Sequence, residues 1–413
     1  MGLFDVLNER GYVYQCTNLE VVKRMLDAEE PLTFYLGIDP TADSLHIGHF
    51  FALMMFRYLQ DAGHKGILVI GGATALIGDP SGKSDMRKML SKEQVQHNLD
   101  EVKELAKRFV KVEGDNPAII LNNAEWFQGY DYVDFMRDIG VHFNINKMLA
   151  ADAYANRLKE GGLTFLEMGY MLMQAYDFAY LNSKYGCKLQ IGGSDQWGNL
   201  VAGTTLNRKR NFIAEETDDS EKDIYGLTCP LLLTKEGKKM GKTESGTLWV
   251  ARDKTTPFDF YQYFYNVDDA DVNMLLRLFT RVPLDEIEKL CSADIIEAKR
   301  VMAYEITKLV HGQGEADKVL EMVSSLFKNR DSGENAPESD FVIASDSINV
   351  VDLFIHAGLG SSKGEIRRLI QQNGLSVDGE KCKSPEEIVK KPIDRDFVLL
   401  KKGKKIFVKV RFL

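Results

Sequence analysis

The pattern of apolar and polar positions predicts an α/β domain in the first part of the chain. Up to about residue 230, short apolar runs alternate with longer helix-like segments, which is typical of a parallel β-sheet with helical crossovers. A turn-forming residue follows each of the three clearest strand candidates, which are Leu32–Ile38, Lys65–Ile70 and Pro117–Leu121. We therefore expect a parallel-sheet domain over residues 1–230.

The middle of the chain has helical periodicity instead. Within Ile295–Val310 the apolar residues recur about every 3.6 positions, and Gly312 is expected to end this helix. Residues 231–328 are predicted to form an α-helical domain that begins with a lysine-rich loop. Residues 329–347 follow it and are rich in Asp, Glu, Ser and Asn, so they are predicted to be a linker.

Residues 348–413 are predicted to form a small α+β domain. Ser362–Gln372 carries apolar residues on one side and basic residues on the other, which indicates an amphipathic helix. Short strands are expected after this helix, with a lysine-rich hairpin turn between the last two, at Leu375–Val377, Phe397–Leu400 and Ile406–Phe412.

Charge is unevenly divided along the chain. The whole chain has a formal net charge of −9, whereas residues 351–413 contain 14 Lys and Arg against 8 Asp and Glu. An acidic body with a basic C-terminal domain suggests that this domain contacts a polyanion. A solvated, charged tail is the alternative that charge alone leaves open.

Composition argues against several other classes of protein. With 44% hydrophobic and 27% charged residues, the chain is typical of a soluble globular protein. No apolar stretch reaches the roughly 18 to 20 residues of a membrane span, and the first residues lack a signal-peptide pattern. The five cysteines are scattered singly, so we expect no zinc site, no disulfide framework and a cytoplasmic location.

A polar turn follows the first predicted strand and leads into a predicted helix. This helix is expected over Leu45–Ala62, with Asp43 or Ser44 as its N-cap and Gly63 at its end. Free N–H groups and the positive end of the dipole favour an anion at the start of a helix. The sequence therefore predicts an anion-binding site in the first turn.

Two histidines lie in this first turn. His46 and His49 are three positions apart and therefore share one face of the helix. Their imidazoles can donate hydrogen bonds to a polyphosphate, and Gly48 has no side chain to keep a base or ribose away. For this spacing alone, a metal-binding pair and two capping histidines are the alternatives.

A second candidate is the segment Lys235–Gly246, which contains four lysines and three glycines. This composition predicts a mobile cationic loop that can close on phosphates. Taken by itself, the segment is more often a solvated lysine-rich hairpin.

Together, the two segments resemble the paired signature of class I aminoacyl-tRNA synthetases. His46–His49 reads H-I-G-H, and Lys239–Thr243 reads K-M-G-K-T, with Gly241 and a threonine where the signature has serines. The runs Tyr170–Asp177 and Gly192–Asn199 narrow the resemblance to bacterial-type tyrosyl-tRNA synthetases. Matching residues extend over nearly the whole chain.

The resemblance implies a Rossmann-like catalytic domain and the activity of a tyrosine–tRNA ligase. Tyrosine and ATP would form tyrosyl-adenylate and pyrophosphate, and tyrosine would then pass to the 3′ end of tRNA(Tyr). ATP is expected as a substrate accompanied by Mg²⁺, without a tightly bound cofactor or a metal site in the protein. A homodimer is also implied, with contacts around residues 125–165.

The resemblance further implies three sets of site residues. Those expected around tyrosine are Tyr35, Asp79, Tyr170, Gln174, Asp177 and Gln196. Those expected around ATP are Gly37, Asp39, His46, Gly48, His49, Gly193, Asp195 and Lys242. Those expected to act on the phosphates are Thr41, His46, His49, Lys83, Arg87, Lys239, Lys242 and Thr243.

Within the tyrosine set, the resemblance assigns residues to two ends of the substrate. Tyr35 and Asp177 are implied at the phenolic hydroxyl, and Asp79, Tyr170 and Gln174 at the α-amino group. The spacing of Tyr170, Gln174 and Asp177 places all three on one face of a helix. An ordinary polar helix face has the same pattern and is the alternative.

Two positions leave the strength of ATP binding open. Leu36 stands where some family members have a cysteine beside the ribose, and Ala52 occupies another ribose-side position that varies.

The basic C-terminal domain resembles the S-four-type RNA-binding domain over Ser361–Gly379. In the family this domain binds the anticodon stem and the long variable arm of the tRNA. Lys363, Arg367 and Arg368 are its candidate RNA-binding residues, because basic side chains suit the phosphates and shape of RNA.

Three other functions are the alternatives. Adenylyl and cytidylyl transferases of small metabolites also use H-x-G-H, but they usually lack the lysine loop and an RNA-binding domain. A tryptophanyl-tRNA synthetase shares the catalytic fold but lacks this domain and the pairing of Tyr35 with Asp177. A non-catalytic RNA-binding descendant of a synthetase would have lost motif residues that are present here.

Overall fold

The computed structural model divides the chain into two compact units, residues 1–313 and 314–413. The residues that the structure describes are 2–81, 89–160, 162–215, 223–235, 237, 239–243, 246–328, 338–393, 395–403 and 406–412.

The first unit contains a sheet surrounded by helices. Its strands are β1 Gln15–Cys16, β2 Thr33–Ile38, β3 Lys65–Ile70, β4 Ile119–Asn122, β5 Leu189–Gly193, β6 Tyr225–Cys229, β7 Lys242–Thr243 and β8 Gly246–Thr247. Its helices are α1 Leu3–Arg10, α2 Leu19–Asp27, α3 Ile47–Asp61, α4 Thr74–Ile77, α5 Lys92–Ala106, α6 Ala124–Phe127, α7 Tyr132–Asp138, α8 Ile145–Leu149, α9 Asp152–Glu160, α10 Phe165–Tyr185, α11 Trp197–Glu215, α12 Pro257–Tyr265, α13 Asp269–Phe279, α14 Leu284–Ala293 and α15 Ile295–His311. Single turns of 3₁₀ helix are Gly140–His142 and Ser194–Gln196.

The predicted parallel sheet is confirmed. Its strands lie in the order β1-β6-β5-β2-β3-β4, and all neighbours are parallel except β1, which pairs antiparallel with β6. The three strands predicted from the sequence are β2, β3 and β4, with small differences at their ends.

The strand order reverses between β2 and β5. The sheet continues through β3 and β4 on one side of β2, and through β6 on the other side of β5. In open α/β sheets a crevice forms at such a reversal, outside the carboxyl ends of the strands, and ligands bind there. The residues that follow β2, β3 and β5 are therefore well placed to form a site.

The prediction for the start of α3 is wrong. The helix begins at Ile47, and its N-cap is His46 instead of Asp43 or Ser44. The Ser44 hydroxyl donates to the next backbone carbonyl, and the Asp43 carboxylate pairs with Lys254 at 2.9 Å. Neither side chain is therefore available to cap the helix.

The long helix α10 is held at its start by a buried ion pair. Glu167 accepts hydrogen bonds from the Thr164 backbone and hydroxyl through one oxygen, and from the Arg157 guanidinium through the other. Glu167 and Arg157 are both almost fully buried. Burial opposes ionisation, but the bonds from Thr164 and Arg157 outweigh it and hold the pKa of Glu167 below its ordinary value.

Aromatic rings join the later helices to the sheet region. Phe50 of α3 stacks on Phe279 of α13, with ring centres 5.6 Å apart. The guanidinium of Arg281 lies 3.5 Å from the ring centre of Tyr58 on α3. The helix predicted at Ile295–Val310 is confirmed as α15, and Gly312 follows it with a φ of +90°.

The second unit is a small α+β fold, as predicted. Its elements are α16 Gln313–Lys328, which begins at the boundary between the units, then β9 Glu338–Ile343, β10 Ser347–Asn349, α17 Val350–His356, α18 Lys363–Gln371, β11 Leu375–Val377, β12 Glu380–Lys381, β13 Ile388–Lys390, β14 Phe397–Lys402 and β15 Ile406–Phe412. The main sheet has the order β12-β11-β14-β15-β9, with β9 parallel to β15. The lysine-rich turn is only partly described, since residues 404 and 405 lie outside the described residues.

The predicted linker at residues 329–347 is wrong for its second half. β9 lies within it and pairs with β15, and β10 begins there. The side chain of Ile343 is buried in the core of the unit, and the Phe341 ring stacks on His356 at 4.6 Å. These apolar residues order a segment whose overall composition is polar, whereas residues 329–337 lie outside the described residues.

None of the helices in the described part of the chain is both long enough and apolar enough to cross a membrane.

Replacing Glu167 by alanine is expected to lower the free energy of unfolding by about 3–5 kcal/mol, because Arg157 would keep a buried charge without its partner. The double variant Arg157→Met, Glu167→Met is expected to recover most of this loss, since no buried charge remains. Urea unfolding measures both effects. The exposed pair of Lys289 and Asp285 supplies a control, Asp285→Ala, that should change little. Equal losses in the single and double variants would contradict this account of the ion pair.

Candidate active site

A cleft of about 900 Å³ opens at the carboxyl ends of β2, β3 and β5. It brings together most of the predicted site residues, which are Tyr35, Gly37, Asp39, Thr41, His46, Gly48, His49, Asp79, Tyr170, Gln174, Asp177, Gly193, Asp195, Gln196 and Lys239. Leu36 and Ala52, the two departures from the family pattern, also line it.

The remaining predicted residues are placed elsewhere or are not described. Lys83 and Arg87 lie outside the described residues. The backbone of Lys242 and Thr243 forms β7, but their side chains are outside the described part. The candidate RNA-binding residues are on α18 of the second unit, where Lys363 pairs with Asp352 at 2.6 Å.

Asp177 is a buried carboxyl group that lines the cleft. Its carboxylate accepts hydrogen bonds from the Trp126 indole at 2.7 Å and the Asn123 amide at 3.2 Å. Burial, with a smaller contribution from the charge of Asp39, raises the pKa of Asp177 to about 8. The two hydrogen bonds act in the opposite direction, because they favour the ionised form. A carboxyl group with this pKa exchanges its proton near neutral pH.

Three polar atoms in the cleft are buried without a partner among the described residues. They are the hydroxyl oxygen of Tyr35 and the amide oxygens of Gln174 and Gln190. Buried polar atoms in native proteins nearly always have a hydrogen-bond partner. These three atoms therefore mark positions where a polar ligand can bind.

Two further carboxylates line the cleft, those of Asp39 and Asp79. Asp39 accepts from the hydroxyls of Tyr170 at 2.8 Å and Thr74 at 2.7 Å. Asp79 accepts from the Gln196 amide at 2.6 Å and from a backbone N–H in its own turn. The two carboxylates give this part of the cleft a negative potential that suits an ammonium group.

The two histidines cap the helix, which was one of the alternatives for their spacing. The Nδ1 atom of His46 accepts from the N–H groups of Gly48 and His49 at 3.1 and 3.3 Å, and Nδ1 of His49 accepts from the N–H of His46. Their rings stack with centres 3.7 Å apart. The neutral rings therefore carry their protons on Nε2, which can only donate.

This capping corrects the predicted anion site. Two N–H groups at the start of α3 are already bonded to His46, so the backbone contributes less to binding an anion than a free helix start would. The Nε2–H groups of the two histidines add hydrogen-bond donors at this end of the helix. In the described part of the chain, no group of His, Cys, Asp and Glu side chains has the arrangement of a metal site.

The lysine loop lies against the histidine segment. The N–H of Ile47 donates to the carbonyl of Leu248, and the N–H of Val250 donates to the carbonyl of Leu45. Lys239 of the loop lies 4.0 Å from the Asp195 carboxylate. Two motifs far apart in the sequence are therefore joined by backbone pairing.

Several residues of the site were not predicted from the sequence. Asn123 and Thr74 lie just beyond the carboxyl ends of β4 and β3, a position at which polar residues are a recognisable signal. Gln190 is a polar residue inside an apolar strand, which is also a visible signal. Trp126 lies in a short helix, and nothing in the local pattern points to its contact with Asp177.

Comparison with known proteins gives consistent matches over the whole chain. A model of the class I tRNA synthetases (W and Y) matches residues 27–328, and a model of the tyrosine–tRNA ligase SYY-like C-terminal domain matches residues 332–410. A tyrosine–tRNA ligase of Clostridium kluyveri is 48% identical over 413 residues, covering 99% of both chains. A second, from Clostridium botulinum, is 47% identical over 418 residues, again covering 99% of both.

The fold is also found among solved structures. A C-terminally truncated mitochondrial tyrosyl-tRNA synthetase of Aspergillus nidulans matches with a TM-score of 0.69 and 30% identity, covering 79% of this chain and 94% of the other.

The raised pKa of Asp177 predicts a dependence of stability on pH. Because the folded state holds this proton more tightly than the unfolded state, Asp177 loses stabilising effect as the pH rises from about 4 through 8. The free energy of unfolding of the parent should therefore fall, relative to Asp177→Asn, by about 2 kcal/mol or more between pH 5 and pH 9. Urea unfolding at both pH values measures the difference.

The exposed carboxyl of Asp253 provides the control, since Asp253→Asn should follow the parent at both pH values. Parallel pH profiles for the parent and Asp177→Asn would show that the Asp177 carboxyl titrates in the ordinary range.

Proposed function

The chain belongs to the tyrosine–tRNA ligases of class I, and we propose that its cleft binds tyrosine at the Tyr35–Asp177 end and ATP beside His46–His49. The reaction of the family joins tyrosine to its tRNA at the expense of ATP. The full-length matches to tyrosine–tRNA ligases decide against the small-metabolite transferase, the tryptophanyl enzyme and the non-catalytic protein.

An unpaired hydroxyl beside a buried carboxyl is the observation that carries the proposal. Burial raises the pKa of Tyr35 well above its ordinary value, and the nearby Asp177 carboxyl contributes to this increase. The two groups therefore lie near each other in a buried part of the cleft. A phenol bound between them would donate to Asp177 and accept from Tyr35. Phenylalanine would leave the buried Tyr35 hydroxyl without a partner among the described residues and would offer no hydroxyl to Asp177, which disfavours its binding.

Groups nearer the opening suit the other end of tyrosine. The Asp79 carboxylate attracts the α-amino group, and Tyr170 and Gln174 offer polar atoms from one face of α10. Gln196 donates to Asp79 and is proposed to lie beside the reacting carboxylate of tyrosine.

ATP is proposed to lie across the strand ends, with its phosphates toward the lysine loop. The residues proposed around the adenosine are Gly37, Asp39, Gly48, His49, Gly193 and Asp195. Those proposed for the phosphates and the departing pyrophosphate are Thr41, His46, Lys83, Arg87, Lys239, Lys242 and Thr243.

Adenylate formation needs no general base, because the carboxylate of tyrosine is already ionised at neutral pH. One of its oxygens attacks the α-phosphorus of ATP, the bond from that phosphorus to the bridging oxygen breaks, and pyrophosphate leaves with the electron pair. The chain contributes position and charge stabilisation, through the histidine Nε2–H donors and the lysines. Magnesium carried on the phosphates would neutralise part of their charge.

The second step transfers tyrosine to RNA. A ribose hydroxyl of the terminal adenosine of tRNA(Tyr) attacks the carbonyl carbon of the adenylate, and AMP leaves. The carboxylates of Asp39 and Asp79 would keep the amino group of tyrosine in place during this step.

The second unit is proposed to bind the tRNA outside the acceptor end. Lys363, Arg367 and Arg368 lie exposed along α18, which presents positive charge to phosphates. Replacing all three by alanine should leave pyrophosphate exchange unchanged and weaken tRNA charging; normal charging at physiological salt would contradict this role.

A homodimer in the cytoplasm is part of the proposal. Large apolar side chains are exposed along residues 132–166, among them Val141 and Phe165 with 70% and 71% of their surface accessible. A second copy that covers this surface would remove it from water. A monomer in sedimentation equilibrium at micromolar concentration would contradict the dimer.

Replacing Tyr35 by phenylalanine tests the position of the phenol. The ratio of kcat/KM for tyrosine over phenylalanine should fall by about 5- to 100-fold, because one partner of the substrate hydroxyl is lost. Pyrophosphate exchange with each amino acid measures this ratio. Tyr261→Phe, which removes a buried hydroxyl outside the cleft, is the control and should leave the ratio unchanged. An unchanged ratio in Tyr35→Phe would place the phenol elsewhere.

Two substitutions of His46 separate capping from catalysis. His46→Ala removes the cap and the Nε2–H donor, whereas His46→Asn keeps a side chain that caps helices well. Both should lower kcat of tyrosine-dependent pyrophosphate exchange by about 10²- to 10³-fold with little change in KM for tyrosine. Only His46→Ala should lose about 1 kcal/mol of stability. Normal pyrophosphate exchange in His46→Asn would show that His46 acts only as the cap of α3.

A further inference from the structure

Backbone hydrogen bonds join the lysine loop to the chain segments that precede and follow it. The N–H of Met240 donates to the Leu232 carbonyl at 2.8 Å, and the N–H of Leu248 donates to the Gly241 carbonyl at 2.7 Å. Beyond Gly241, β7 and β8 pair as a short hairpin that carries Lys242. Gly241 is therefore the point at which this hairpin joins the rest of the unit.

The hydroxyl of Tyr263 on α12 contacts this same point. Its oxygen accepts a hydrogen bond from the Gly241 N–H at 2.9 Å. The Tyr263 ring is half-buried and packs edge-on against Phe264, with ring centres 5.2 Å apart. This packing restricts the movement of the ring and of its hydroxyl. Gly241 is buried, and its N–H would lose this partner if the hydroxyl were removed.

The backbone of Gly241 also fits closely against the first turn of α3. Its φ is +81°, and a Cβ atom at this position would lie 2.4 Å from Cγ2 of Ile47. A side chain at residue 241 is therefore excluded by conformation and by contact, which accounts for glycine where the family signature has serine. The contact brings the hairpin directly beside the H-I-G-H turn.

We infer that Tyr263 is a positioning residue for adenylate formation. By accepting the Gly241 N–H, it holds the backbone of the lysine loop at Gly241 against the first turn of α3, where the phosphates of ATP are proposed to lie. A second bond, from the Lys235 N–H to the Asp271 carboxylate at 3.1 Å, fixes the other end of the loop to α13. The inference rests on the proposed role of the loop lysines in binding pyrophosphate.

The first measurement compares Tyr263→Phe with Tyr261→Phe in tyrosine-dependent pyrophosphate exchange. Tyr261 lies on the same helix, and its buried hydroxyl has no partner among the described residues, so its removal costs no hydrogen bond to the loop. Tyr263→Phe should lower kcat by about 5- to 100-fold, because the buried N–H of Gly241 loses its hydrogen-bond partner. KM for tyrosine should change by less than about 2-fold, and Tyr261→Phe should match the parent.

The second measurement reports on the loop without reference to catalysis. Limited trypsin digestion of the free full-length protein, followed by mass spectrometry of the cleavage sites, gives the rate of cutting after Lys239 and Lys242. This rate should rise in Tyr263→Phe by about the same factor and stay unchanged in Tyr261→Phe. Gly241→Ala should show the same two effects through its contact with Ile47.

The outcomes separate the inference from the proposed function beneath it. Faster cleavage together with lower kcat supports the positioning role. Unchanged cleavage in Tyr263→Phe overturns the inference, whatever the activity. Faster cleavage with normal kcat also overturns it, and normal kcat in Lys239→Ala as well would remove the loop lysines from the proposed mechanism.

Discussion

The burial of one carboxyl group governs the structure around the cleft. Asp177 is removed from bulk solvent, so its proton or its charge must be accommodated by hydrogen bonds, which Trp126 and Asn123 supply. These partners come from the segment after β4, whereas Asp177 is carried by α10, so the two elements must keep a fixed relative position. The buried pair of Glu167 and Arg157 fixes the start of α10. The proposed tyrosine site therefore depends on the anchoring of the start of α10 as well as on the side chains that line the cleft.

One chain of hydrogen bonds joins cleft residues that come from four separate segments of the chain. The Asn123 amide donates to Asp177 and to the Thr74 hydroxyl, and Thr74 donates to Asp39, which also accepts from Tyr170. This chain brings the carboxyl groups of Asp39 and Asp177 together at the ends of the strands, in the same cleft as the two histidines and Lys239. In the proposed complex, tyrosine with its ammonium group at the carboxylates would direct its own carboxylate toward the groups proposed to bind the phosphates.

The sequence predicted the parts of this structure that depend on local pattern. The strands β2, β3 and β4, the helix α15 and the strands β11, β14 and β15 follow from periodicity and turn residues. The cleft residues follow from motifs with a known family resemblance. Asn123 and Trp126 were missed because their contact with Asp177 spans about 50 positions and depends on how β4 and α10 pack. β9 was missed because its few apolar residues lie in a polar segment, and their burial is decided by a core formed elsewhere in the unit. Local composition is a weak guide wherever the partner is distant in the chain.

The wrong start predicted for α3 and the position of the lysine loop have one cause. Cap propensity favours a helix that begins after Ser44 or Asp43, and such a helix would use the backbone of Leu45 within its first turn. The Leu45 carbonyl is instead bonded to the N–H of Val250, and the Ile47 N–H to the Leu248 carbonyl, so Leu45 and His46 lie before the helix, beside the segment that follows the loop. The helix can begin only after this pairing ends, which leaves His46 at the cap with its Nδ1 turned to the backbone. The backbone pairing beside the lysine loop therefore also fixes which nitrogen of His46 faces the start of the helix.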